Sequence, residues 1–334
     1  MKALVINGKN EPLQLEERGE LQAGAGEAII QVKAAAVNHR DVWIQKGQYA
    51  GLKYPIIPGS DGAGVVVRTG EGKDGEGWIG KQVIINPAFN WGDSPTHQSS
   101  TKFSILGLPE DGTFAEYVKV PLSSLIEKPA HLSFEEAAAL PLAGATAYRV
   151  LFTRAQLQPG EKVLITGIGG GVALFALQYA VAAGAKAYVS SGDDEKIGKA
   201  MAMGAMGGVN YKNPSWGRNL QDLAGAFDVI IDGAAGDGMD ELLNLATPGG
   251  RVAFYGATRG NPSSLTARRI FWKQLTIVGS TMASPQDFSS MVAFVSRHGL
   301  RPVVDKVFPF AEGESAFRWM DDTKQFGKIV IRIQ

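Results

Sequence analysis

The sequence predicts an α/β protein with a doubly wound parallel sheet and a second, irregular unit that is mostly β. Three observations support this prediction. Short apolar runs alternate with helical stretches from residue 161 to residue 279, which is typical of parallel strands joined by helices. A glycine-rich turn follows the first of these strands and precedes a helix. The first 125 residues are instead rich in glycine, proline and short β-like runs, which indicates a separate β unit.

The first strand of the predicted sheet, residues 163–165, is suited to burial on both faces because it is entirely apolar. Three consecutive glycines open the helix that follows it: Gly169, Gly170 and Gly171. Bare backbone at a helix N-terminus is suited to binding a pyrophosphate. A G-x-G-x-x-G pattern starting at Gly167 has Val172 in its last place, so a tight structural turn remains an alternative reading.

Further strands are predicted at residues 187–191, 208–211, 227–231, 250–255 and 275–279. Ligands of doubly wound sheets bind beyond the carboxyl ends of the strands. Because the glycine loop follows such an end, we expect the binding site to lie there.

Composition excludes several classes of function. The 334 residues include 33 basic and 33 acidic ones, so we expect neither a nucleic-acid nor a membrane partner. The absence of cysteine excludes disulfides, thiol nucleophiles and cysteine-based zinc sites. A strand-like start without a signal peptide leads us to expect a cytoplasmic protein.

Outside the predicted sheet, residues 86–112 form a long polar segment without periodicity, which we interpret as a lobe beside the site. A capping box at Ser133 predicts a helix near the domain junction. Ser284 and Pro285 predict the start of another helix. The β-like tail after it is expected to rejoin the first unit.

Seven segments together resemble the medium-chain dehydrogenase/reductase superfamily, and within it the zinc-free branch similar to quinone oxidoreductases. They are residues 34–41, 47–49, 58–64, 111–118 and 146–148, the glycine loop, and residues 327–330. The resemblance covers the whole chain. It implies a Rossmann domain, residues 129–284, inserted in a GroES-like catalytic domain of residues 1–128 and 285–334. It also implies a homodimer formed by edge-to-edge pairing of the strand at residues 275–279.

The departures from zinc-dependent members of this superfamily concern their metal ligands. Asn38 stands at the place of their catalytic cysteine, Ser60 and Asp61 at that of their His-Glu pair, and Leu142 near that of their third ligand. One carboxylate cannot hold a catalytic zinc ion alone. We therefore expect no metal.

The resemblance also bears on which nicotinamide cofactor is used. Enzymes that prefer NAD place an acid about 20 residues beyond the first glycine, where this chain has Ser191. Lys196 and Tyr211 match the phosphate-binding lysine and the tyrosine segment of members that use NADPH. We predict NADPH over NADH. A solvated Lys196 is the alternative, and Asp193 and Asp194 would oppose a phosphate if they pointed inward.

The cofactor-binding residues implied by the resemblance form one set: Thr146, Gly169, Gly170, Gly171, Val172, Ser191, Lys196, Tyr211, Gly233, Ala234, Tyr255, Gly256 and Lys328. Tyr49 and Asn38 match positions that face the substrate. Tyr49 resembles the acid of enoyl thioester reductases, although relatives also use this tyrosine only to shape the pocket.

The predicted function is hydride transfer from NADPH to a quinone or an α,β-unsaturated carbonyl, a small-molecule substrate. A reductase of 2-enoyl thioesters is one alternative. A different class is an NADPH-binding protein with an RNA-binding or regulatory role, for which Arg268, Arg269 and Lys273 form the only basic cluster. A solvated helix end explains that cluster more simply.

Overall fold

The computed structural model describes the backbone of residues 1–334 and every side chain except those of residues 73 and 74. The chain divides into two compact units. The first comprises Met1–Leu142 and Ser284–Gln334, and the second comprises Ala143–Ala283. No helix in the described part of the chain is both long enough and apolar enough to cross a membrane.

The elements of the first unit up to the boundary are β1 Lys2–Val5, β2 Gln14–Glu17, β3 Glu27–Val37, α1 His39–Gln45, β4 Asp61–Thr69, α2 Lys73–Glu76, β5 Gln82–Ile85, β6 Ala88–Phe89, β7 Ser104–Ile105, β8 Tyr117–Pro121, β9 Leu125–Glu127, α3 Phe134–Ala139 and α4 Pro141–Tyr148. Helix α4 runs across the boundary and continues as a π-helical turn, Arg149–Arg154.

The second unit then contains β10 Lys162–Ile165, α5 Gly171–Ala182, β11 Lys186–Ser191, α6 Asp194–Ala202, β12 Gly207–Asn210, α7 Trp216–Ala224, β13 Phe227–Asp232, α8 Met239–Leu245, β14 Ala246–Phe254, α9 Ala267–Trp272 and β15 Thr276–Gly279. The chain ends in the first unit with α10 Pro285–His298, β16 Val304–Pro309, α11 Gly313–Asp321 and β17 Lys328–Arg332.

The main sheet of the first unit is organised around β3, which pairs antiparallel with β4, β8 and β17. Its strand order is β16-β17-β3-β4-β5-β9. The pairing of β17 with β3 confirms that the tail rejoins this unit. Apolar side chains from distant parts of the chain fill its core, where the rings of Phe114 and Phe317 lie 6.0 Å apart.

The second unit is a six-stranded parallel sheet in the order β12-β11-β10-β13-β14-β15. This is the order of a Rossmann fold, and it confirms the predicted doubly wound sheet. Val163, Leu164 and Ile165 of β10 are fully buried, as expected for a central strand covered on both faces. The strand order reverses at β10, so its carboxyl end is the position at which such sheets bind ligands.

The boundary between the units differs from the expected one after residue 128, since the first unit continues to Leu142. Helix α3 accounts for the difference because it packs against β3, β4 and β17 of the first unit. The predicted capping box is confirmed: the Ser133 hydroxyl accepts from the Glu136 amide and the Glu136 carboxylate accepts from the Ser133 amide. Ser284 caps α10 as predicted, with Pro285 as its first residue.

Candidate cofactor and substrate sites

The glycine loop of the second unit requires glycine for two reasons. Gly167 and Gly169 have φ angles of +65° and +119°, which side chains other than glycine rarely adopt. A Cβ on Gly169 would also lie 2.8 Å from Cδ of Lys196. Gly170 is the N-cap of α5, which begins at Gly171. The amides in the first turn of α5 therefore lack acceptors within the helix and are available to an anion.

An acidic residue that sequence reasoning missed braces this loop. The Asp232 carboxylate lies at the end of β13, is 2 % exposed, and accepts a hydrogen bond from the Thr166 hydroxyl at the end of β10. It also accepts from the amides of Ala234 and Ala235, at 3.2 and 2.6 Å. Asp232 thus fixes the loops that follow two neighbouring parallel strands. An acid placed directly before Gly233 at a strand end was the signal available in the sequence.

The loops after β13 and β14 are held equally close. A Cβ on Gly233 would lie 2.6 Å from the Tyr255 hydroxyl, and one on Gly256 would lie 2.9 Å from the Gly233 carbonyl oxygen. Removal from water and the Asp232 carboxylate both raise the pKa of Tyr255, so its phenol stays protonated. The structure therefore brings together four residues of the predicted cofactor set, Gly233, Ala234, Tyr255 and Gly256.

Cationic and aromatic side chains gather at the end of β11, where Ser191 lies. Lys196 passes beside Gly169 of the glycine loop. A Cβ on Gly192 would lie 2.9 Å from the Tyr211 hydroxyl oxygen and 3.0 Å from Cε of Lys212. Arg259, which sequence reasoning missed, has its guanidinium carbon 6.0 Å from the centre of the Tyr211 ring.

The two aspartates beside these cations are engaged elsewhere. Asp193 is the N-cap of α6 and accepts from the Glu195 amide at 2.9 Å. Asp194 accepts from the Asn210 side chain at 3.1 Å. Two further predicted residues lie in helices of this unit: Thr146 is buried on α4, and Val172 is half-buried in the first turn of α5.

In the first unit, Lys328 lies in a buried hydrogen-bonded network, and its cofactor-binding role stays a prediction. It is 4 % exposed, and its ammonium group donates to Val37 O at 3.0 Å, Asn38 Oδ1 at 2.6 Å and Asp61 Oδ2 at 3.0 Å. An ammonium group has three donors, so all of them are used. The ion pair with Asp61 holds the Lys328 ammonium group in the interior.

Asn38 is part of the same network, and its catalytic role stays a prediction. Its side chain accepts from Lys328 and donates to Asp61 Oδ2 at 2.9 Å. Asp61 is fully buried, and its other oxygen accepts from the Leu142 amide at 2.7 Å. The side chain of Asn38 is therefore held in place by Lys328 and Asp61.

These residues do not fit a catalytic zinc ion. The one carboxylate at the positions of the zinc ligands, that of Asp61, is occupied by an ammonium group, an amide side chain and a backbone amide. Asn38, Ser60 and Leu142 supply no thiolate, imidazole or carboxylate. Across the described side chains, no group of three or more histidine, cysteine, aspartate or glutamate residues is arranged to hold a metal ion.

Next to this network, Asp41 is fully buried at the first turn of α1. Its carboxylate accepts from the amides of Asn38 at 2.8 Å and Gly59 at 3.3 Å. Burial raises the pKa of Asp41 to about 6, against the opposing effect of Arg40.

Tyr49 is half-buried, and its hydroxyl oxygen lies 3.4 Å from Nε of Arg40. The Arg40 guanidinium also lies over the ring, 5.0 Å from its centre. In the described contacts, the Tyr49 hydroxyl only accepts, so its hydrogen has no protein acceptor.

Comparison with known proteins supports both units. The family model for the alcohol dehydrogenase GroES-like domain matches residues 24–130, and the model for the zinc-binding dehydrogenase domain matches residues 171–297. The chain is 37 % identical to a zinc-type alcohol dehydrogenase-like protein, YogA, of Leptosphaeria maculans, over 96 % of this chain and 95 % of the relative.

Solved structures agree with this comparison. A crystal structure of an NAD-dependent alcohol dehydrogenase superimposes with a TM-score of 0.94 at 34 % identity, covering all of both chains. The 2-octenoyl-CoA carboxylase reductase CinF, in complex with NADP and 2-octenoyl-CoA, superimposes with a TM-score of 0.88 at 26 % identity, over 99 % of this chain and 87 % of that one. With its GroES-like first unit and its Rossmann second unit, the chain belongs to the medium-chain dehydrogenase/reductase superfamily of oxidoreductases.

Proposed function

We propose that this oxidoreductase is zinc-independent and transfers hydride from NADPH to a quinone or an α,β-unsaturated carbonyl compound. The observation that carries the proposal is the hydrogen-bonded network of Lys328, Asn38 and Asp61. Asn38 and Asp61 stand at positions of the zinc ligands in zinc-dependent members, and Lys328 neutralises the Asp61 carboxylate there. An alcohol dehydrogenase of this superfamily that works through a zinc alkoxide needs those positions for the metal.

The second unit supports the choice of a dinucleotide cofactor. The loop at Gly169 and Gly170 and the first turn of α5 would hold the pyrophosphate, because the amides at the start of α5 have no acceptors within the helix. The loops at Gly233 and Gly256 would hold the nicotinamide half of the cofactor. When bound, the cofactor supplies a hydride, and the protein orients it and excludes water.

The end of β11 supports NADPH over NADH. Ser191 stands where an acid would bind the ribose hydroxyl of NADH, and a 2′-phosphate in its place needs cations. Lys196, Lys212 and Arg259 are the cations of this region, around the ring and hydroxyl of Tyr211. Each charge-assisted hydrogen bond to a phosphate is worth about 1.5 to 3 kcal/mol.

In the first unit, Tyr49 is the group suited to proton transfer. We propose that its hydroxyl donates a hydrogen bond, and then a proton, to the oxygen of the substrate carbonyl. General acid catalysis of this kind contributes about 100- to 10,000-fold to a rate.

A reductase of 2-enoyl thioesters is the second candidate. It is favoured by the similarity to CinF, whose structure contains NADP and 2-octenoyl-CoA. The conjugated carbonyl of an enoyl thioester presents the same oxygen to Tyr49 as an enone does, so the two candidates differ in the group attached to that carbonyl.

An RNA-binding role receives no support from the basic cluster. Arg269 is paired with the Asp240 carboxylate, and Lys273 donates to the carbonyl oxygens of Leu243, Asn244 and Ala246. Burial lowers the pKa of Lys273. Of the three basic side chains, two are committed to the fold of the second unit.

We also propose a homodimer in which two copies pair along β15. This strand is the last in the order of the parallel sheet, and an open edge favours association. Phe271 and Trp272 on α9, just before it, are 66 % and 73 % exposed. Sedimentation of the double variant Phe271→Ser, Trp272→Ser tests this: dissociation into monomers supports the pairing, and an unchanged dimer or an unsubstituted monomer contradicts it.

The proposed function is tested by NADPH consumption with the chelator-treated protein. Benzoquinone, 2-cyclohexenone, crotonyl-CoA and butanal are offered in parallel. Turnover of the quinone or the enone supports the first candidate, and a marked preference for crotonyl-CoA supports the second. Turnover of butanal alone, or of none of the four while NADPH binds, contradicts both.

A further inference from the structure

The guanidinium group of Arg40 has an unusual set of partners for a buried cation. The residue is 6 % exposed. Its Nη1 donates to Ser60 Oγ at 2.6 Å and to Leu106 O at 2.9 Å, and its Nη2 donates to Leu108 O at 3.4 Å. Its Nε donates to the hydroxyl oxygen of Tyr49 at 3.4 Å. Every one of these partners is neutral.

No carboxylate forms an ion pair with Arg40 among the described side chains. Asp41 is the neighbouring acid, but its oxygens accept from the amides of Asn38 and Gly59. Arg40 is buried without an ion pair, and the attraction between its charge and the Asp41 carboxylate offsets only part of the cost of leaving water. Its hydrogen bonds satisfy the guanidinium donors, and the one to Tyr49 reaches a half-buried side chain.

The contact with Tyr49 determines where the hydroxyl hydrogen of Tyr49 points. An arginine side chain has only donors, so the Tyr49 oxygen must be the acceptor in this contact. The phenolic hydrogen then points away from Arg40, and no described residue accepts it. The guanidinium also lies over the ring, 5.0 Å from its centre, which restrains the ring itself.

We propose that Arg40 is a positioning residue for reduction: it holds the oxygen of Tyr49 so that the phenolic hydrogen is presented to the carbonyl oxygen of the substrate. Its positive charge also stabilises the phenolate that remains after the proton has left. This inference rests on the proposed function, because it assigns a role at the same site.

The proton transfer balances as follows for a conjugated ketone. A hydride adds to the β-carbon with its electron pair, and electron density moves to the carbonyl oxygen. The O–H bond of Tyr49 breaks, a new O–H bond forms on that oxygen, and the electron pair of the broken bond stays on Tyr49. A proton from water restores the phenol, and the enol becomes the saturated ketone by moving its proton to the α-carbon.

A double-mutant cycle on the full chain tests whether Arg40 acts through Tyr49. The rate kcat for reduction of 2-cyclohexenone by NADPH is measured for the unsubstituted protein, Arg40→Lys, Tyr49→Phe and the double variant. Arg301→Lys, at an exposed ion pair with Glu136, is the matched control and should leave kcat unchanged. Thermal melting and NADPH binding check that each variant is folded.

We expect Tyr49→Phe to lower kcat about 100-fold and Arg40→Lys to lower it about tenfold, with KM nearly unchanged. In the Tyr49→Phe background, Arg40→Lys should change kcat by less than about twofold, since the group it positions is gone. The same tenfold loss in both backgrounds would overturn the inference while leaving the proposed function intact. Absence of enone turnover by the unsubstituted protein would overturn both.

A second readout does not depend on turnover. The carbonyl stretching band of carbonyl-labelled cyclohexanone, the saturated product, is measured by infrared spectroscopy on the protein with NADP⁺. A hydrogen bond from Tyr49 should lower its frequency. The shift should be smaller in Arg40→Lys and absent in Tyr49→Phe, whereas an identical band in all three proteins would contradict the positioning role.

Discussion

The loops at the carboxyl ends of the parallel strands in the second unit are built mainly from backbone, whereas the cluster beside α1 in the first unit is built from buried charged side chains. In these loops, glycines with positive φ expose bare amides, and Asp232 accepts hydrogen bonds that hold the loops in place. Beside α1, Lys328, Asp61 and Arg40 are each at most 6 % exposed. The first arrangement is suited to binding a nicotinamide cofactor, and the second to holding charged side chains in fixed positions.

The difference has an energetic consequence. Backbone amides at a helix N-terminus stay accessible to a ligand. A substitution in the loops at the carboxyl ends of the strands should therefore act mainly on cofactor affinity. A buried ion pair depends on both partners, because removing one leaves an unpaired charge in the interior. Substitutions at Lys328 or Asp61 should therefore act mainly on stability.

The largest effect is expected for Lys328→Met. It leaves the buried Asp61 carboxylate without its cation, which should lower the free energy of unfolding by about 3 to 5 kcal/mol. Urea titration followed by circular dichroism measures this. Lys324→Met, at an exposed pair with Asp322, is the control and should change it by less than about 1 kcal/mol. Equal losses in the two variants would contradict the importance of burial.

The next effect is a pH dependence. The pKa of Asp41 is about 6 in the folded protein, above its ordinary value of 3.8, so the folded state holds the proton more tightly. The resulting stabilisation is complete below pH 3.8 and is lost as the pH rises through 6. It amounts to up to about 3 kcal/mol.

The variant Asp41→Asn lacks this titration. The difference in unfolding free energy between the unsubstituted protein and Asp41→Asn should therefore shift against the unsubstituted protein between about pH 4 and pH 6. Urea titrations at intervals of half a pH unit measure it. A constant difference over this range would show that Asp41 is already ionised at pH 4.

A smaller effect is expected for Lys196→Ala, which should reduce the preference for NADPH over NADH about ten- to a hundredfold. The Kd of each cofactor is measured by fluorescence titration. Lys199→Ala, on the same helix and paired with Glu195, should leave the ratio unchanged. If the ratio is unaltered in both variants, Lys196 does not bind the 2′-phosphate, and Arg259→Ala becomes the next variant to measure.

The smallest change in stability is expected for Gly170→Ala. Gly170 has extended backbone dihedral angles that any residue can adopt, and an added Cβ would contact only Gly167 O, at 3.8 Å. The free energy of unfolding should therefore change by less than about 0.5 kcal/mol. Gly169→Ala, with φ at +119°, should cost about 1 to 3 kcal/mol. Denaturation of both variants measures the contrast, and equal costs would contradict the loop geometry.

The fold and the glycine loop could be predicted because the sequence features that indicate them are local. The apolar run of β10, the glycines after it and the cap at Ser133 each depend on neighbouring residues, and the structure places them as expected. The domain boundary could not be predicted as well, since the packing of α3 against β17 joins residues far apart in sequence.

The cluster beside α1 could be predicted only in part for the same reason. The sequence shows which zinc ligands are missing, but the ion pair of Lys328 with Asp61 joins residues 267 positions apart. The motif that contains Lys328 therefore gave no indication of this ion pair. Arg40 lies in one of the segments that carry the resemblance, residues 34–41, but its contact with Tyr49 could not be predicted from that segment.

The most direct test of the account is whether reduction depends on zinc. The protein is dialysed against a chelator, its zinc content is measured by atomic emission, and kcat for 2-cyclohexenone with NADPH is determined before and after zinc is added back. We predict that no zinc remains bound and that kcat is the same in all three states. Loss of activity on dialysis, restored by zinc, would contradict the central claim that an ion-pair network has replaced the metal.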